Sequence, residues 1–134
     1  MYGPSITADT AKKIAPAAIA EAKKNSWTMA IAIVDTHGEL VYFERMDDVQ
    51  QGSVDVALAK ARSAARFKRP TKVFQDGLAA GGAGLRLLSL DGAVPVEGGI
   101  PLVVGGKIVG AIGASGGTSE QDGVVAAAAV AQLK

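Results

Sequence analysis

At 134 residues, 49% hydrophobic and 20% charged, the chain has the length and apolar content to build one core, which excludes a disordered protein. Its 14 basic and 13 acidic residues leave a net charge of +1, which gives no overall field for nucleic acid or a membrane surface. With no cysteine and one histidine, neither a disulfide, a thiolate nucleophile nor a multi-histidine metal site can form within one chain, so no metal is expected.

Aromatic residues make up 4%, so the core must come from Ala, Val, Ile and Leu. The N-terminal segment has no apolar run flanked by basic residues and no stretch of ~20 apolar residues. A single domain over 1–134, without signal peptide or membrane span and compatible with the cytoplasm, is the expectation.

Ser5 or Thr7 can cap a first helix running to about Asn25. Ile6, Ala11, Ile14, Ala18 and Ala22 fall on one face, and Pro16 interrupts the pattern with a kink or a late start. "WTMAIAIVDTHGELVYFERMD" then reads as a hairpin. Thr28 to Val34 is apolar on both faces, as a covered central strand requires, and Gly38 supplies the turn. In the second arm Val41, Phe43 and Arg45 alternate with Leu40, Tyr42 and Glu44.

"GSVDVALAKARSAARFKRPTK" reads as a second helix with Ser53 as N-cap and Val54, Ala57, Leu58, Ala61 and Ala65 as its inner stripe. Six basic residues fall between Lys60 and Lys72; a solvated face is the plain reading, an anion-facing role for some the sharper one. From Gln75 to Val96 the pattern supports only one short helix and a loop or strand. "IPLVVGGKIVGAIGASGG" reads as a hairpin turning at Gly105-Gly106, and "TSEQDGVVAAAAVAQLK" as the last helix, with a capping box at Thr118/Gln121 or Ser119/Asp122.

The glycines of this last region raise the question of a phosphate loop. A Walker loop would close on Gly-Lys-Ser/Thr, and "GASGGTSE" has no lysine. Gly105 and Gly106 belong to the turn, Gly110 and Gly113 lie within a strand, and Gly116 and Gly117 end it. Structural glycine is the preferred reading, with an anion site at the last helix N-terminus as the alternative. Helix, hairpin, helix, irregular segment, hairpin, helix makes an α+β domain with an antiparallel sheet.

"VDTHGELVYFERMDD", "AKARSAARFKRPTK" and "VEGGIPLVVGGKIVGAIGASGGTSEQD" occur in order and together resemble the GlcG/HbpS-like family, which includes the C-terminal domain of PduO-type proteins. The likeness runs from about Ala20 to the C-terminus. It implies a profilin-like fold, with a five-stranded antiparallel sheet flanked by helices. It also implies homo-oligomers, dimers that build rings or octamers. Some relatives bind heme, and one branch is described as heme-degrading and redox-sensing; others stand beside glycolate or diol catabolism. The PduO-type heme domain uses a histidine of its first helix, and this chain has none there. An oxygen ligand, or packing alone, would then hold heme.

Several side chains are candidates for chemistry. His37 can serve as heme ligand or base, but its place in a turn favours an exposed residue without a role. Glu97, before "GGIPL", can move a proton or bind substrate, or pair with a structural cation. Arg45 needs a carboxylate or ligand anion if a helix covers its face, with Asp35 and Glu44 as plain partners. Lys60 and Arg62, followed by Arg66 and Lys72, are anion contacts. Met46, Phe74 and Tyr42 can line an apolar pocket, although such residues are more often core.

Two readings follow. One is a small-ligand-binding protein, with heme or another tetrapyrrole as ligand, its propionates on the Lys/Arg cluster. The other is a tautomerase- or lyase-type enzyme of small organic acids. There Arg45 or Lys60 holds a carboxylate in a shared cleft and Glu97 moves the proton. A sensory or structural oligomer without a ligand is the third alternative.

Overall fold

The computed structural model describes residues 1–134. Helix α1 spans Ala8–Lys24. Strands β1 (Ala30–Val34) and β2 (Leu40–Arg45) form the first hairpin. Helices α2 (Ser53–Arg66) and α3 (Thr71–Ala79) and a 3-10 helix over Gly82–Ser89 follow. Strands β3 (Gly99–Val104) and β4 (Lys107–Ser115) form the second hairpin, and α4 covers Ser119–Val130. The sheet is antiparallel in the order β2-β1-β4-β3. No helix is long and apolar enough to cross a membrane.

The α+β class stands, with four strands rather than five. Residues 75–96, where a strand was one option, continue α3 and then coil into the 3-10 helix. The nearest thing to a fifth strand is the N-terminus, where Tyr2 makes one parallel bridge to Ile108 beyond the end of β1.

Strand alternation sorts β1 onto two faces. Ile31 and Ile33 pack with Leu102, Ile112 and the buried sides of α1 and α4. Ala30, Ala32 and Val34 face α2 in a second cluster that is otherwise all alanine. Small residues let α2 sit close: a Cβ on Gly113 would run into the Ala57 carbonyl and the Ala61 nitrogen.

The ends of the elements follow local chemistry. Thr7, not Ser5, caps α1 by accepting from the Thr10 N–H; the helix runs through Pro16 to Lys24. Gly105 and Gly106 both take positive φ (58° and 77°), as a two-residue hairpin turn requires. Thr118 and Gln121 form the full capping box of α4, which stabilises its first turn by about 1 kcal/mol. Ser53 is not the cap of α2: Gly52 takes that place, and Ser53 is buried with its hydroxyl bonded by Gln50 and Ser115. The expected single second helix is two, because Pro70 has extended ψ (145°) and starts α3.

Candidate functional site

Lys60 is the most buried large side chain of α2, at 1% exposure. Its Nζ donates to Asp122 Oδ2 on α4 at 2.7 Å and to the Ala114 carbonyl at 3.1 Å. The other Asp122 oxygen accepts the Gly117 N–H at 2.9 Å. Helices α2 and α4 lie on opposite faces of the sheet, so Lys60 reaches across at the start of β3. Glycines open that passage: a Cβ on Gly98 would stand 2.8 Å from Nζ, and one on Gly99 would strike the Lys60 carbonyl. Lys60 therefore has its anion inside the protein and is not free to hold a substrate carboxylate.

At the start of α4, Gly117 N–H goes to Asp122, Thr118 N–H to Gln121 Oε1, and Gln121 N–H to Thr118 Oγ1. Those three donors are satisfied within the chain, the Ser119 and Glu120 N–H groups are not, and the Glu120 and Asp122 carboxylates in the first turn work against a bound anion.

Glu97 precedes the glycine pair and lies at a groove. Its N–H donates to Gln75 Oε1 at 2.8 Å, and its carboxylate rests over Gly123 of α4, in the space a side chain there would fill. The groove holds about 210 Å³. Pro70, Lys72 and Ile100 line it with Glu97, over the buried Gly98, Gly99 and Gly123. Past Lys72 and Glu97 it opens into a wider concavity of about 590 Å³ bordered by Gln75, Ser119 and Val124. The Lys72 ammonium is held above its ordinary pKa, first by its hydrogen bond to Asp76 and then by the charges of Asp76, Glu97 and Glu120.

Arg45 is not part of this groove. It ends β2 on one edge of the sheet, whereas Glu97 leads into β3 on the other. Three interstrand spacings, about 14 Å, separate the two edges. Arg45 is exposed in a shallow depression with Lys23, Glu44, Met46 and Asp47 and makes no ion pair. The shared cleft of Arg45, Lys60 and Glu97 is thus corrected: one cation lies at the far edge and the other is sealed inside.

Met46 and Phe74 do not line a common pocket either. Met46 packs on the larger core, with Sδ 3.4 Å from the Met29 N–H. Phe74 is 4% exposed and meets Phe67 edge-on at 5.5 Å between centroids. Tyr42 donates to Glu44 at 2.8 Å; burial raises its pKa first, and the Glu44 bond and charge add to this.

The remaining basic residues of α2 reach the first hairpin turn. Arg62 Nε donates to the Gly38 carbonyl at 3.0 Å and Arg66 Nε to the His37 carbonyl at 2.9 Å. They line a separate cavity of about 350 Å³ between α2 and residues 92–94. His37 itself is exposed, at the opposite end of β1 from Glu97.

Sequence reasoning missed Lys72 and Gln75 as neighbours of Glu97, and Asp122 as partner of Lys60. A basic residue read as part of a solvated face gives no sign of which carboxylate the fold brings near.

A family model described as "Haem degrading protein HbpS-like" matches residues 6–131. The chain belongs to the HbpS-like family. A relative from Citrobacter freundii, described as an uncharacterized 15.0 kDa protein in the dhaT-dhaS intergenic region, is 36% identical over 128 residues, 94% of this chain and 90% of its own length. The crystal structure of a PduOC:heme complex superposes with a TM-score of 0.86 at 28% identity, covering 97% of this chain and 96% of that one. A double mutant of HbpS from Streptomyces reticuli superposes at 0.89 with 29% identity, covering 100% and 90%. HbpS-like membership thus rests on nearly the whole chain.

Proposed function

We propose that this HbpS-like protein binds a flat organic anion in the Glu97 groove, heme or another tetrapyrrole being the ligand that its relatives suggest. The observation that carries the reading is the pairing of Lys72 and Glu97, which border both the groove and the wider concavity of about 590 Å³: a cation and a carboxylate stand together beside Pro70 and Ile100, where a ring can lie. Lys72 at the rim can meet a propionate, at the cost of its exposed pair with Asp76.

The donors at this groove are oxygens. Glu97 offers a carboxylate that suits ferric better than ferrous iron, and the only histidine lies at the other end of the sheet. Heme here would be held by packing, by Lys72 and by Glu97, without an imidazole. The acid–base alternative keeps Glu97 but lacks the anchors first assigned to it, Arg45 and Lys60. Assembly into dimers or a larger ring belongs to the same proposal, supported by the exposed Leu85 and Leu88 of the 3-10 helix, at 55% and 70% exposure.

Hemin titration of the purified protein tests the proposal. A saturable, shifted Soret band is expected for the wild type and for His37→Ala, with Glu97→Gln changing its position or weakening binding at least tenfold. Free-hemin behaviour in the wild type, or a band lost in His37→Ala and untouched in Glu97→Gln, would sink it.

A further inference from the structure

The cavity beside α2 is separate from the Glu97 groove in residues and chemistry. Its walls include Leu58 and the backbone of 92–94, with Asp55 at one end and Arg62 and Arg66 at the other. At about 350 Å³ it falls in the size range of small-molecule sites.

The two arginines are unusually well placed to receive an anion. They stand four residues apart, on one side of the helix. Each spends its Nε on a carbonyl of the same turn, Gly38 and His37, and that bond fixes the guanidinium plane. Arg62 makes no other hydrogen bond and no ion pair, so both of its terminal nitrogens remain unspent. Arg66 adds only an exposed contact with Glu39 at 3.7 Å, which contributes little. A fork held in advance loses less freedom when an oxyanion arrives.

Asp55 sets the other requirement. Its carboxylate has no hydrogen-bond or salt-bridge partner in the protein, and it lies two helical turns from Arg62, about 10 Å along the axis. A plain dianion would meet repulsion there, whereas a hydroxyl group would find an acceptor.

We propose that this cavity binds a short organic oxyanion, a carboxylate or a phosphate monoester, that also carries a hydroxyl group toward Asp55. The guanidinium pair takes the oxyanion in forked hydrogen bonds and Asp55 takes the hydroxyl.

Calorimetric titration of the full chain with glycerate and with glycerol 3-phosphate, at matched ionic strength, tests this. Saturable binding of either one supports the site, and the stronger binder names the oxyanion. Arg62→Lys keeps the charge but loses the fork, and should weaken binding at least tenfold. Ala59→Phe fills the cavity while leaving both arginines in the sequence and should abolish binding; it stays informative if Arg62→Lys loosens the turn. No saturation with either compound, or wild-type affinity in either folded variant, overturns the proposal.

Discussion

Two lysine–aspartate pairs in this molecule have nearly the same length and opposite surroundings. Lys60–Asp122 closes at 2.7 Å with side-chain exposures of 1% and 3%; Lys72–Asp76 closes at 2.8 Å with 54% and 60%. The first joins helices on opposite faces of the sheet; the second joins neighbours on one helix turn. Distance alone would rank them equal. Burial separates them, because water replaces a lost partner at the surface and cannot do so inside.

The largest expected effect comes from breaking the inner pair. Lys60→Met should cost about 3–5 kcal/mol in urea unfolding, since it strands the Asp122 carboxylate. Lys60→Met combined with Asp122→Asn should cost less than Lys60→Met alone, because the stranded charge is gone while the acceptor for the Gly117 N–H remains. Equal losses in the single and double variants would break the comparison.

A smaller loss tests the passage rather than the charges. Gly98 has φ +135°, and a Cβ there would press on Nζ and the Ala114 carbonyl. Gly98→Ala should therefore destabilise by about 1–3 kcal/mol. In the Lys60→Met background the loss should shrink; an unchanged loss would assign it to backbone strain and the Ala114 carbonyl rather than to Lys60.

The smallest effect belongs to the outer pair. Asp76→Asn should leave the unfolding midpoint unchanged while lowering the Lys72 pKa, read by NMR titration of its ε-methylene. The sign follows from the raised pKa. The pair's contribution is present below the ordinary lysine value of 10.5 and is lost as pH rises through the folded value. A Lys72 that titrates identically in the variant would remove Asp76 as the main cause.

The contrast also explains what could be read from the sequence. The Gly105-Gly106 turn and the Thr118/Gln121 capping box were legible because both are local, fixed by residues within a few positions. The inner face of α1 was legible from its 3.6-residue period. Lys60 was not, because its partner lies 62 positions away and across the sheet. Its motif and the "EGG" motif looked like separate signatures, and the structure makes them parts of one tie. Arg62 and Arg66 were named as anion contacts, but their partners hid for another reason: they are backbone carbonyls, which no residue type announces. The break between α2 and α3 was available in principle, since Pro70 stood near the end of the expected helix.

The strand order has a consequence for the growing chain. β1 is buried along its whole length, and its two neighbours arrive at very different times. β2 follows it directly, but Ala30 pairs with Ser115, about 85 residues later. At ribosomal speeds that interval is on the order of ten seconds. Throughout it the most apolar strand of the protein has one unpaired edge and no β4 to close it. Until β4 arrives that edge is open to pairing with the wrong strand, and α2 cannot close it, because it packs on a face of β1.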